Sequence, residues 1–282
     1  MAAFYPPLLF SRLKDPEEFV YHYTCADTAA QLILPNRTIK FGTYERTNDP
    51  KESKQWTFVI GNPPAGAGYI DIHAVSEEVS VAIKRCAHVL CCSVDLPTPE
   101  CAQGVDIQHR GYARPRMWDQ YGRKHKGVCL IFRRARLTEL LLAHTGRKGV
   151  LAGLVTYQNR GFAPRLDTTE PYLIDYQLLQ RVGPDRYALE HIRRHHAALF
   201  FEKAVDWRDE LEYRWVVANP NSAPIFLNFE NALAGIAFGE DCPEEALRAC
   251  VRAAMQSGTD FEQLKWKNSA PWLSMRMDWA TL

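Results

Sequence analysis

The stretch Trp207-Arg208-Asp209-Glu210-Leu211-Glu212-Tyr213-Arg214-Trp215-Val216-Val217 marks the point where the chain changes character. Before it, Pro171 to about Lys203 reads as the longest helical region, broken near Gly183-Pro184. From Glu212 to Val217 polar and aromatic residues alternate and then give way to valines, so a strand is expected. Ile225–Asn228 and Gly235–Gly239 follow as further strands. A helix over Pro243–Gln256 comes next, with Gly258 just past its end, and Leu264–Lys267 and Leu273–Met277 read as short strands. Strands and helices are mixed here without the strict alternation of a doubly wound parallel sheet.

Working back toward the N-terminus, strands are expected at Phe19–Tyr23 and Thr38–Tyr44. Between them lies a helix over Asp27–Leu34, with Thr24 as its cap and an acid three residues on. Val75–Ala87 reads as a helix, His88–Val94 and Gly127–Phe132 as buried strands, Leu137–His144 as a helix and Val150–Tyr157 as a strand. Gly61–Gly68, Pro97–Pro115 and Asn159–Pro171 read as loops. The expectation is an α+β fold: one domain over residues 1–282, with a split, mixed, mostly antiparallel sheet flanked by helices.

Composition narrows the function classes. The 282 residues are 46% hydrophobic and 24% charged, which excludes a disordered or low-complexity chain. Lys plus Arg is 34 and Asp plus Glu is 33, so a globally polybasic nucleic-acid binder is excluded while a local basic surface is not. Apolar runs such as Val128–Phe132 fall far short of the ~20 residues that span a bilayer. Met1–Phe10 has no basic n-region of a secretory signal. A cytoplasmic protein with no membrane partner is expected, and its eight cysteines are expected to be reduced.

Standard nucleotide and hydrolase signatures are absent: no G-x-G-x-x-G, no P-loop and no G-x-S-x-G. Cys86, His88, Cys91, Cys92 and Cys101 fit no common zinc spacing. His191 and His195 share a helix face but lack a third ligand, and the run His191–His196 reads as a solvated basic face. No metal is expected.

Four stretches can carry chemistry. Tyr21-His22-Tyr23-Thr24 sets His22 on the opposite strand face from the two tyrosines, where an imidazole can bond a ribose hydroxyl or simply a backbone carbonyl. Tyr44 leads into Asn48-Asp49-Pro50-Lys51-Glu52, a turn whose polar groups either edge a pocket or serve only the turn. The window Arg110–Arg136 holds nine Lys or Arg and one acid, Asp119, interleaved with Tyr112, Trp118 and Tyr121. Such a mixture suits a phosphate-bearing, base-stacking ligand, and Arg116 and Arg123 are its central cations. In extended backbone Glu210 and Glu212 share a face, so their repulsion suits acid–base work, or they pair with Arg208 and Arg214.

Together these stretches resemble a bacterial family, the domain of unknown function 2971. The pattern comprises Tyr21–Thr24, Asn48–Glu52, Cys91–Ser93, Met117–Cys129, Trp207–Arg214 and the Ile236–Gly239 strand, in that order along the chain. A second resemblance, to the H-Y-E plan of ADP-ribosyltransferases, supplies an activity. It implies an ADP-ribosyltransferase-like fold, with NAD as co-substrate in the cleft of a split sheet. His22 would bond the nicotinamide ribose and Tyr44 would stack on the nicotinamide, with Tyr23 or Trp118 as alternatives. Glu212 would hold the ribose 2′-hydroxyl and stabilise the oxocarbenium-like transition state, and Glu210 would polarise the acceptor. Thr24, Asn48, Asp49 and Tyr121 would complete the NAD site, with Arg116 and Arg123 at the pyrophosphate or acceptor. The resemblance implies a toxin or phage-defence effector acting on RNA, DNA or protein, with an antitoxin or regulator as a partner. The competing expectations are a non-enzymatic nucleic-acid-binding or interaction module using Arg110–Arg136, and a metal-independent nuclease using Glu210, Glu212 and His22.

Overall fold

Alternating apolar residues build a ten-stranded sheet that organises the chain. The computed structural model describes residues 18–96, 107–159, 170–220, 223–255, 258–274 and 279. In chain order its strands are β1 (Phe19–Thr24), β2 (Thr38–Thr43), β3 (Val59–Gly61), β4 (Ala87–Ser93), β5 (Val128–Arg133), β6 (Val150–Leu154) and β7 (Thr156–Tyr157). They continue as β8 (Leu173–Asp175), β9 (Glu202–Lys203), β10 (Glu212–Ala218), β11 (Ile225–Asn228), β12 (Leu233–Phe238), β13 (Asp260–Lys267) and β14 (Ala270–Ser274). The main sheet runs β11-β2-β4-β1-β5-β12-β13-β14, with β10 on β4 and β6 on β10. Within it only β12 and β13 pair in parallel, so the fold is α+β with a mixed, mostly antiparallel sheet.

The sheet parts at β4. One edge of β4 pairs with β10 along its whole length, Ala87 to Ser93. The other edge is shared: Val89 and His88 pair with Gly42 and Thr43 of β2, while Ser93 pairs with Tyr21 of β1. Cys91 falls between the two partners. In an antiparallel ladder alternate residues address the same edge, so the Cys91 carbonyl points into the gap.

The two faces of the sheet are covered differently. Val20, Phe41, Leu90, Leu130, Trp215 and Phe238 belong to one continuous core, closed by the helices Arg134–Thr145 and Glu244–Ala254. On the opposite face the core is divided. One part packs Val89 and Val216 under the helices Ile72–Cys86 and Pro184–Phe200, and the other gathers Tyr21, Tyr23, Trp118, Cys129 and Leu264. Each large apolar side chain so buried contributes roughly 1.5–3 kcal/mol.

Several sequence expectations shift. The cap of the first helix is Cys25, whose Sγ accepts from the Thr28 amide at 3.4 Å, because Thr24 is still paired in β1 opposite Val128. The helix runs on to Asn36 through a wider π segment at Ala29–Ile33. Val150–Tyr157 is two strands, since β6 joins β10 and β7 turns away to join β9. The region after Pro171 opens with β8, paired to β3, where the sequence suggested only helix and loop. His191 is buried rather than solvated, and its Nε2–H donates to the Pro171 carbonyl at 2.8 Å. Burial and the neighbouring His195 bring its pKa down to about 4. Cys101, Gln256 and Met277 lie outside the described residues. Among the described residues no helix is long and apolar enough to cross a membrane.

Candidate functional site

The divide between the two half-cores opens into a cavity of about 280 Å³. Its wall brings together His22, Asn48, Glu52, Tyr121, Lys203, Glu210, Glu212 and Arg214, drawn from strands, turns and one helix end far apart in sequence. That volume lies near the lower limit of small-ligand sites and suits a nucleoside-sized group.

His22 sits at the gap. Its Nδ1–H donates to the Cys91 carbonyl at 3.2 Å, satisfying the group that the parted strands leave unpaired. Burial lowers the His22 pKa, so the ring is neutral with Nε2 as an acceptor.

The carboxylates reach the cavity differently from the sequence expectation. Glu210 ends a 3-10 turn over Val205–Glu210, and Leu211 takes φ 41° before β10 begins at Glu212. They share the cavity because of this left-handed residue, not through strand alternation. Lys203, from β9, bridges them: its Nζ lies 2.7 Å from Glu210 Oε2 and 2.9 Å from Glu212 Oε2. Arg214 grips Glu212 with two nitrogens, Nε on Oε1 and Nη2 on Oε2, the latter at 2.9 Å. Its Nη1 donates to the Phe200 carbonyl at 2.8 Å, and Nη2 also lies 2.5 Å from Glu52 Oε1. Burial alone would raise the Glu212 pKa, but Arg214 and Lys203 overcome it and hold the carboxyl down at about 2. The Cys91 thiol also hydrogen-bonds Glu212, and burial followed by the Glu212 charge pushes that thiol well above its ordinary pKa. The anticipated Arg208 partner is instead exposed and paired with its neighbour Asp209 at 3.8 Å.

Of the aromatic residues that the sequence offered, Tyr23 and Tyr121 both line the cavity, and Tyr121 reaches its acids. It caps the helix Pro115–Gln120, and its hydroxyl donates to Glu210 Oε1 at 2.8 Å. A left-handed turn over Arg123, Lys124 and His125 follows, with φ 53°, 55° and 65°. Such backbone is costly for L-residues. It is braced by the His125 ring stacked on Trp118 and by Trp266 Nε1–H donating to His125 Nδ1 at 3.2 Å. Gly122 and Gly127 are required for close approach: a Cβ would fall 2.6 Å from the Trp118 ring and 2.4 Å from the Thr24 carbonyl, respectively.

The other sequence candidates lie elsewhere. Tyr44 is fully buried against Trp56 and Phe200 and donates to the Leu199 carbonyl at 2.7 Å, so it presents no stacking face to the cavity. Trp118 is likewise core, with Nε1–H on the Tyr112 carbonyl. Asp49 caps the turn Pro50–Ser53, accepting from the Lys51 amide, while Asn48 beside it lines the cavity. Thr24 ends β1 outside the cavity wall. Arg116 and Arg123 are exposed, Arg116 covering the Trp207 ring at 5.5 Å. The sequence reading missed Lys203, which carries no motif signal, and gave no role to Glu52, although it closes the Asn48–Glu52 pattern. Among the described residues no group of three or more His, Cys, Asp or Glu is placed to hold a metal ion.

Residues 117–215 match the model of a family described as a protein of unknown function (DUF2971). The matched span contains Tyr121, Lys203, Glu210, Glu212 and Arg214, while His22, Asn48 and Glu52 lie before it. No curated protein and no solved structure matches the chain.

Proposed function

We propose that the cavity receives the nicotinamide-ribose half of NAD and that the protein is an NAD-dependent ADP-ribosyltransferase. The observation that carries this reading is the charge of the buried cluster in the cavity wall. Three buried carboxylates, Glu52, Glu210 and Glu212, face two buried cations, Lys203 and Arg214, while the third cation of the wall, Lys40, is exposed to solvent. A buried cluster with one excess negative charge favours a positive ligand. The nicotinamide ring of NAD carries such a charge, and it passes to the ribose as the glycosidic bond breaks.

In this reading the bond between ribose C1′ and the ring nitrogen cleaves, and its electron pair leaves with neutral nicotinamide. The oxocarbenium-like ribose then sits in the field of Glu212, which stays ionised at every working pH because of Arg214 and Lys203. An acceptor nucleophile attacks C1′ and gives its proton to Glu210. Neutral His22 offers Nε2 as an acceptor at the same wall. Fixed charge aimed at a developing cation lowers the barrier more than it aids ground-state binding. Arg116 and Arg123, exposed outside the cavity, suit a macromolecular acceptor such as nucleic acid better than the pyrophosphate of NAD. A toxin or phage-defence role is compatible with such an acceptor.

The test is incubation of the purified protein with adenine-labelled NAD, alone and with a cell lysate. Label is expected to move to an acceptor fraction or, without one, to free ADP-ribose. Glu212→Gln, checked for folding, should lower NAD consumption about 10²–10³-fold. A wild-type protein that never consumes NAD sinks this reading and leaves the binding module in front.

A further inference from the structure

Hydrogen-bond accounting separates the three cavity carboxylates. A carboxylate offers about four acceptor directions. Glu212 accepts from two Arg214 nitrogens, one on each oxygen, and is further met by the Lys203 ammonium and the Cys91 thiol. Glu210 receives Tyr121 at one oxygen and Lys203 at the other. Glu52 is different. It is fully buried, it lines the cavity, and neither oxygen has a hydrogen-bond partner. Arg214 Nη2 forms an ion pair with its Oε1 at 2.5 Å outside hydrogen-bond alignment, and among the described residues nothing meets Oε2.

A buried carboxylate that has an ion pair at one oxygen and nothing at the other is expensive, because the unmet oxygen has lost its water. We infer that Glu52 is the ligand-binding acceptor of the cavity, and that it receives a sugar hydroxyl of the bound nucleoside. A hydroxyl fits better than a second full cation, because the Arg214 guanidinium already stands beside this carboxylate and would repel one. The hydroxyls of Thr43 and Ser93, also cavity-lining and without hydrogen-bond partners, leave further polar positions for a polyhydroxylated ligand. This assignment rests on the proposed function for the choice of nucleoside, and it moves the ribose contact from Glu212, which is met at both oxygens, to Glu52.

The experiment follows the Glu52 side-chain carboxyl resonance in protein labelled at the glutamate carboxyl carbon, assigned with Glu52→Gln, while nicotinamide riboside is added. The expected result is a saturable shift of that resonance, and affinity weakened about 10- to 100-fold in Glu52→Gln. Glu52→Asp, which keeps the charge and removes the labelled glutamate, supplies the assignment where Glu52→Gln folds poorly. A resonance that does not move, or a folded Glu52→Gln protein that binds as the wild type does, overturns the assignment. The two readings fail separately. A Glu52 shift without NAD turnover keeps the assignment and removes the transferase, whereas turnover with an unmoved Glu52 does the reverse.

Discussion

The Asp95–Arg110 pair and the Glu52–Arg214–Glu212–Lys203–Glu210 cluster are both buried, and they differ in completeness. Asp95 accepts from Tyr21 at 3.1 Å and Arg110 at 2.9 Å on one oxygen, and from the Gly111 amide at 2.7 Å on the other. Each oxygen of the Asp95 carboxylate is used. The cavity cluster has three acids for two bases, and one acid has no hydrogen bond. A satisfied buried pair fixes a loop against a strand and needs nothing more. An incompletely satisfied one beside a cavity persists only because the surrounding fold imposes it.

The largest expected effect tests whether both clusters hold the fold. Arg214→Met leaves the carboxylates Glu52 and Glu212 buried with Lys203 as their remaining cation, and should cost about 3–5 kcal/mol in urea unfolding. Asp95→Ala removes a buried acceptor from Arg110, Tyr21 and the Gly111 amide and should fall at the lower end of that range. If Arg214→Met matched the wild type in stability, the cluster would have no structural share.

The second effect is an acid limb. Glu212 titrates near 2 in the folded protein against an ordinary 4.5, so the unfolded chain takes up this proton first as pH falls. Its contribution is complete above about pH 4.5 and is lost progressively toward pH 2. Unfolding free energy measured from pH 6 to pH 2 should fall more gently in Glu212→Gln than in the wild type. Parallel curves would mean that Arg214 and Lys203 do not hold this carboxyl ionised.

The smallest effect sharpens the contrast most. Glu52→Gln keeps the shape and breaks no aligned hydrogen bond, and Arg214 retains Glu212 as its partner when the ion pair with Glu52 is lost, so stability should fall only modestly. Asp95→Asn, an equally conservative change at a saturated carboxylate, should cost visibly more in the same urea titration. Equal losses would show that Glu52 is as fully partnered as Asp95.

Much of the fold was legible because it is written in local periodicity. Ile225–Asn228 came out to the residue, and the antiparallel character followed from strands crowding together after Trp207. The pieces that escaped notice are short and held by distant partners. β3 and β8 are three residues each and exist because they pair with one another, which no local pattern announces. Of the candidate site, His22 was readable from strand alternation, Tyr121 from the basic window with interleaved aromatics, and Glu210 and Glu212 from their spacing in the Trp207–Arg214 stretch. Tyr44 and Trp118 were aromatic candidates as well and are core residues, because an aromatic ring looks alike in sequence whether it lines a cavity or fills a core.

The sequence by itself determined the class of chain and the inventory: an α+β protein with a near-neutral charge balance, acids and bases in particular motifs, and faces assigned by alternation. Tertiary structure alone decided which of those acids is met at both oxygens. Lys203 enters from a two-residue strand and Arg214 from β10, while Glu52 arrives from a turn more than a hundred residues earlier in the chain. Hydrogen-bond capacity is a property of such meetings, set by distance and angle, and a linear pattern does not encode it. The parting of β1 and β2 along β4 is decided in the same way, by long-range register, and it makes the cavity in which the difference between Glu52 and Glu212 matters.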